Sequence, residues 1–219
     1  MPDGTLYLGT RRYSSWSLRG WLPVKLAALD VAEVVIPLAG GVTEAVKAAT
    51  GGATVPLLEH RGNRIWESLA ICEYCAEFVP ALWPEGLAAR THARVIAAEM
   101  HAGFRGLRSA MPMSLFRDAA GAGRTEAALA DIARVETLWR DTRGRFGGTY
   151  LFGATFTNAD AMYAPVVARL LTYRPDLSAD TLDYCAAVRA HPLMVEWYRL
   201  AATEPAAWFL PGYEDAIAG

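Results

Sequence analysis

The sequence predicts two units in series: an α/β unit over residues 1–80 and an all-α helical unit over 91–219, joined by a linker at 81–90. Three observations predict this division. Apolar runs of strand length alternate with amphipathic stretches as far as Phe78. The Pro- and Gly-punctuated stretch Val79-Pro80-Ala81-Leu82-Trp83-Pro84-Glu85-Gly86 then breaks the pattern. Beyond it, apolar residues recur at helical spacing.

Leu6-Tyr7-Leu8 reads as the first strand. Residues 16–29 read as a helix, because Leu18, Leu22, Leu26 and Leu29 fall three or four apart. Val34-Val35-Ile36-Pro37-Leu38 reads as a second strand that ends near its proline. Residues 43–49 form a short helix stopped by Gly51-Gly52. Val55-Pro56-Leu57-Leu58-Glu59 and Arg64-Ile65-Trp66 pair as a hairpin across His60-Arg61-Gly62-Asn63, and a helix over 67–78 closes the unit. Two strands joined through a helix make the first pair parallel. In the second unit, Ile96, Met100, Phe104, Leu107 and Met111 define one apolar stripe, and Leu129, Ile132, Val135 and Trp139 another. Further helices are predicted over 158–172, 179–190 and 192–202, the first opened by a capping box at Thr157-Asn158-Ala159-Asp160.

Composition excludes several function classes. Hydrophobic residues make up 53% of the 219 and charged residues 20%, a balance that builds a packed core. A net charge of −2 steers the chain toward neither nucleic acid nor an anionic membrane. No apolar run approaches the roughly 18 residues of a membrane helix. Met1-Pro2-Asp3-Gly4-Thr5 has no basic region leading into an apolar stretch, so no secretory signal is expected. Three cysteines read as free thiols in a reducing, cytoplasmic setting.

Three local features carry candidate chemistry. Ser14, Ser15 and Ser17 stand at the start of the first helix. Hydroxyls there cap the helix, or share a hydrogen bond with an anion held at its tip, where orphan N–H groups and the helix dipole favour negative charge. Val55-Pro56 places a residue without a ladder N–H at a strand start. Glu67-Ser68 opens a helix directly after a strand, so that Ser68 offers a hydroxyl and an N–H to a carboxylate and Glu67 accepts from an ammonium group; a plain cap with a first-turn acid is the structural alternative.

Taken in order, the strand, the Ser-rich helix start, Val55-Pro56, Glu67-Ser68 and the box Gly153-x-x-x-Thr157-x-Ala159-Asp160 resemble a soluble, cytosolic-type glutathione S-transferase over nearly the whole chain. The run Ser14-Ser15-Trp16-Ser17 is similar to the serine-type helix start of its zeta-like classes. The resemblance implies a thioredoxin-like first domain that binds glutathione, a helical second domain, glutathione as cosubstrate without a metal, and a homodimer. It implies a cis bond before Pro56, a backbone pairing of Val55 with the cysteinyl residue of glutathione, and Glu67 and Ser68 on the γ-glutamyl end. It also implies a serine hydroxyl on the glutathione thiolate: Ser14 is the first choice, Ser15 the second, and Tyr7 on the first strand a third. In many relatives the residue before the Val-Pro pair is basic; here Thr54 supplies a hydroxyl, and Lys47 is the one cation in 39–54. Arg19, one turn into the helix, adds positive field or faces solvent.

The activity so implied is attack of the glutathione thiolate on a small electrophile. A zeta-like glutathione-dependent cis–trans isomerase of the maleylacetoacetate type, and a transferase-like binding module without catalysis, are the alternatives. An acceptor pocket is expected between the units, lined from a helix carrying His101, Arg105, Arg108, Met111 and Met113. Cys72-Glu73-Tyr74-Cys75 matches a redox spacing but lies two turns into its helix, so packing is expected there. The four histidines form no zinc pattern, and no phosphate-binding loop or nucleophile elbow is present.

Overall fold

The computed structural model describes residues 1–38 and 43–214. Part of the stretch 39–54 and the end of the helical unit, 215–219, therefore lie outside the described residues. Among the described residues the order is β1 (Gly4–Gly9), α1 (Ser15–Leu26), β2 (Val31–Ile36), α2 (Glu44–Thr50), β3 (Leu57–His60), β4 (Asn63–Trp66) and α3 (Ser68–Phe78), followed by six α-helices and two short 3-10 turns. The sheet runs β2-β1-β3-β4, with β1 parallel to β2 and the other pairs antiparallel. This is the α/β unit expected, with shifted boundaries. β2 begins at Val31 and stops before Pro37. The hairpin turn narrows to Arg61-Gly62, both at positive φ, so His60 and Asn63 join the ladder. Val55 and Pro56 fall outside β3, and the bond between them is cis.

The helical unit consists of α4 (Leu87–Ala102), α5 (Arg105–Ala110), α6 (Glu126–Phe146), α7 (Asn158–Tyr173), α8 (Ala179–Ala190) and α9 (Pro192–Ala202). α4 begins inside the stretch read as linker. The stripe from Ile96 to Met111 is buried throughout, but two helices share it: the chain breaks at Gly103 and at Phe104, which takes a left-handed φ of 56°. In α6, Ile132, Val135 and Trp139 are buried as expected, whereas Leu129 is exposed near the helix start. The box at the start of α7 is present: the Thr157 N–H donates to Asp160 Oδ2 at 2.9 Å. Asp160 is fully buried and also accepts from the Leu151 N–H and the Tyr184 hydroxyl.

One continuous core joins the two units and aligns the pieces of the site. α1 packs on both α3 and α7. Trp21 of α1 stacks obliquely on Trp197 of α9 with ring centroids 5.2 Å apart, both fully buried; such a pair contributes about 0.5–1.5 kcal/mol beyond its area. Asn158 Nδ2 donates to the Cys72 carbonyl at 2.9 Å. Gly20 lets Pro56 seat against α1, since a Cβ there would come within 2.6 Å of the proline ring. No helix among the described residues is long and apolar enough to cross a membrane.

Candidate active site

The turn between β1 and α1 carries the serines, and the second unit clamps it. The Arg11 and Arg12 N–H groups donate to the buried carboxylate of Glu204, at 2.6 and 3.2 Å. Arg12 and the Tyr13 hydroxyl both donate to Glu214. Within the turn, Ser14 is the N-cap of α1: its Oγ accepts from the Ser17 N–H at 3.2 Å and its hydroxyl donates to Ser17 Oγ at 2.7 Å. Ser17 Oγ also accepts from the Gly9 N–H at 2.8 Å. Ser14 and Ser17 thus tie β1 to α1. Ser15 is placed differently. Its Oγ accepts from Arg169 Nη2 of α7 at 3.2 Å, which leaves its own proton free to donate.

A cleft of about 400 Å³ opens beside these serines. Tyr13, Ser14, Ser15 and Trp16 form one wall, Leu38 and Thr54-Val55-Pro56 another, and Glu67-Ser68 at the start of α3 a third. Ser14, Ser15, Thr54, Val55, Pro56, Glu67 and Ser68 therefore border one cavity, whereas Tyr7 is not among its lining residues. Ser68 is fully buried and its Oγ has no partner. Glu67 is exposed and held at φ 70°, a left-handed conformation that costs a residue with a Cβ about 1–3 kcal/mol and clusters at functional sites. Thr54 is exposed, and Lys47 pairs with Glu44 at 2.7 Å on the surface.

A second cavity of about 670 Å³ shares Ser15, Trp16 and Glu67 with the first and continues along His101, Ala102, Arg105, Arg108, Ser109 and Arg169. Arg105 and Arg108 stand where the acceptor pocket was expected. Met111 does not: it is fully buried in the core, because its position on the apolar stripe turns it inward, and only its carbonyl takes part, accepting from Arg169 Nε at 2.9 Å. Met113 is almost fully buried as well. Tyr7 points elsewhere, its hydroxyl reaching Glu59 Oε2 at 3.5 Å. Arg19 does not face solvent. It is fully buried, gives Nε to the Met162 carbonyl at 2.7 Å and lies 4.8 Å from the Trp16 ring centroid.

The electrostatics follow from burial and crowded cations. Burial, then the Arg108 charge, pushes Arg169 down to about 10, so it stays charged at neutral pH. Burial, then Arg169 and Arg108, pushes Arg19 well down. Burial outweighs the Glu67 carboxylate and keeps His101 below its ordinary value, so its 3.5 Å contact with Glu67 is not an ion pair at neutral pH. Burial pushes the Cys75 thiol up to about 12 and raises Cys72 well above its ordinary value; both are free and packed in the core, as a structural role requires. Among the described residues no cluster of histidine, cysteine and acid side chains is fit to hold a metal.

Sequence reasoning missed Tyr13, Trp16 and Leu38 as lining residues, and Arg169. A signal for Arg169 existed: it is the one charge between Met162 and Leu171 in an otherwise apolar helix.

Residues 13–77 match the family described as glutathione S-transferase, N-terminal domain, and residues 118–202 match glutathione S-transferase, C-terminal domain. With both domains in order over most of its length, the chain belongs to the glutathione S-transferase family. No curated protein matches it in sequence. Among solved structures, a glutathione transferase homologue from Burkholderia gl BGR1 with bound glutathione superposes at a TM-score of 0.68 and 21% identity, covering 92% of this chain and 99% of that one. A theta class enzyme from the citrus canker pathogen Xanthomonas axonopodis pv. citri, also with glutathione bound, gives 0.64 and 22%, covering 94% and 99%. The Omega 2S transferase of Trametes versicolor in complex with 2,4-dihydroxybenzophenone gives 0.68 and 19%, covering 91% and 94%. Likeness at such identities establishes the shared fold.

Proposed function

We propose that this chain is a glutathione transferase in which the first cavity holds glutathione and Ser15 holds its sulfur as the thiolate. The observation that carries this reading is the Ser15 hydroxyl, which borders both cavities, accepts from a buried arginine and keeps its own proton to donate. Ser14, the first choice from sequence, has its hydroxyl engaged with Ser17, so it serves the fold and Ser15 takes the sulfur.

Glutathione matches the remaining residues in chemistry. It carries two carboxylates, one ammonium group and a thiol. The unpartnered Ser68 hydroxyl at the tip of α3 suits the γ-glutamyl carboxylate, and Glu67 suits the ammonium group. The Val55 backbone suits the cysteinyl residue, and Thr54 offers a hydroxyl to the glycyl end. A free thiol has a pKa of about 8.5, and lowering it by two units takes about 2.7 kcal/mol of preference for the thiolate. One hydrogen bond to a charged sulfur, about 1.5–3 kcal/mol, with a helix-dipole contribution of up to about 1 kcal/mol, is enough. The sulfur then attacks an electrophile held in the second cavity, and orientation supplies the rest of the rate. A cytoplasmic homodimer belongs to this reading; the buried, free cysteines suit a reducing compartment.

Isothermal calorimetry with glutathione at millimolar concentration tests the proposal. Saturable heat, together with protein-dependent conjugation of an activated haloarene, supports it. No heat and no conjugation overturn it.

A further inference from the structure

The second cavity brings together more positive charge than its surroundings neutralise. Arg105, Arg108 and Arg169 border it, and Arg19 lies behind Trp16. None of the four forms an ion pair among the described residues. Arg169 spends its donors on the Met111 and Pro165 carbonyls and on Ser15, Arg108 gives Nη1 to the Gly103 carbonyl at 3.3 Å, and Arg19 keeps both terminal nitrogens buried and unpartnered. The acid on this wall is Glu67. Elsewhere the chain pairs its arginines readily: Arg94 with Glu73 and Arg134 with Glu99, each by two hydrogen bonds. Four guanidinium groups without an ion pair among the described residues around one cavity, in a chain of net charge −2, are therefore a local arrangement.

The arrangement is also rigidly built. The short helix α5, which carries Arg105 and Arg108, sits directly on α6: the Leu107 N–H donates to Asp131 Oδ2 at 2.9 Å, and a Cβ at Gly106 would come within 2.6 Å of the Ala127 backbone. Arg108 is laid over Trp16 at 4.7 Å from the ring centroid. A wall edged by planar guanidinium groups recognises a carboxylate, because the guanidinium fork matches its two oxygens.

We infer that the second cavity is an acceptor site selective for electrophiles that carry a carboxylate, with Arg105 and Arg108 as its specificity-determining residues. This rests on the transferase reading given above. The carboxylate is held at α5 while the carbon to be attacked lies toward Ser15, which borders both cavities. With a chloronitrobenzoate, the thiolate sulfur forms a bond to the chlorine-bearing carbon, the C–Cl bond breaks and chloride leaves with the bonding pair, the thiol proton having passed to solvent.

The test compares 4-chloro-3-nitrobenzoate with the neutral 4-chloro-3-nitrobenzamide at saturating glutathione, each rate divided by its uncatalysed rate with glutathione. The wild-type protein is expected to prefer the benzoate at least tenfold in kcat/KM, and Arg108→Ala to lower that preference about tenfold through the KM of the benzoate. Arg105→Ala, at an exposed position without an ion pair, keeps the fold and lowers it severalfold. Equal or better use of the benzamide overturns the inference and leaves the transferase reading standing. So does a pair of variants that raise the KM for glutathione with both electrophiles at an unchanged ratio, since the arginines then serve a carboxylate of glutathione. Calorimetric heat with glutathione but no turnover of either electrophile also overturns the inference; no heat and no turnover overturn the transferase reading, and the inference with it.

Discussion

Two helices point their N-termini at the same cleft and treat their serines in different ways. At the start of α1, Ser14 and Ser17 exchange hydrogen bonds with each other and with the Gly9 N–H, so the tip is closed on itself. At the start of α3, the cap position belongs to Glu67, which caps nothing and sits in a left-handed conformation, and the Ser68 hydroxyl is buried without a partner. The first tip is satisfied by the fold; the second keeps a buried hydroxyl without a partner. Ser15 belongs to neither pattern, since its oxygen is held by an arginine from the other domain. The contrast teaches that a hydroxyl at a helix start says little about binding until its partners are known.

Substitutions sharpen this contrast. The largest effect is expected at Ser15. Ser15→Ala removes the donor to the sulfur, so the acid limb of the pH–rate profile moves up by one to two units and kcat/KM near pH 6.5 falls about 10- to 100-fold, with glutathione affinity nearly kept. An unmoved profile returns the sulfur to Ser14 or Tyr7. Next comes Ser68→Ala, which is expected to weaken glutathione binding about tenfold or more by calorimetry, as the loss of one hydrogen bond to a charged group does. Because that hydroxyl bonds to nothing in the free protein, the melting temperature stays where it is; a clear drop would show that Ser68 is structural. The smallest change in activity is expected for Ser14→Ala, whose effect falls on stability: losing an N-cap costs about 1 kcal/mol, a fall of about 2–4 °C for a chain of this size. Unchanged melting with lost turnover would reverse the roles of the two serines.

Much of the fold is legible from local pattern. The helices read at 158–172, 179–190 and 192–202 are found at Asn158–Tyr173, Ala179–Ala190 and Pro192–Ala202, because periodicity and end signals agree there. The break between α4 and α5 is not legible: Phe104 has no preference for the left-handed region, and the packing of α5 against α6 imposes the bend. Met111 misled for a related reason. Its place near two arginines suggested a pocket, yet its stripe faces the core, and one bend separates what faces inward from what faces the cleft.

Short-range order was written in the chain: the strand–helix alternation, the capped start of α7, and the serine and Glu67-Ser68 segments that border the cleft. Periodicity and capping are contacts between near neighbours, and the chain spells those out. Which serine is spent on the fold, which is left to donate, and where four arginines stand without an ion pair among the described residues came from folding. Those outcomes depend on groups such as Ser15 and Arg169, 154 positions apart, being pressed together by a common core whose packing no local pattern encodes.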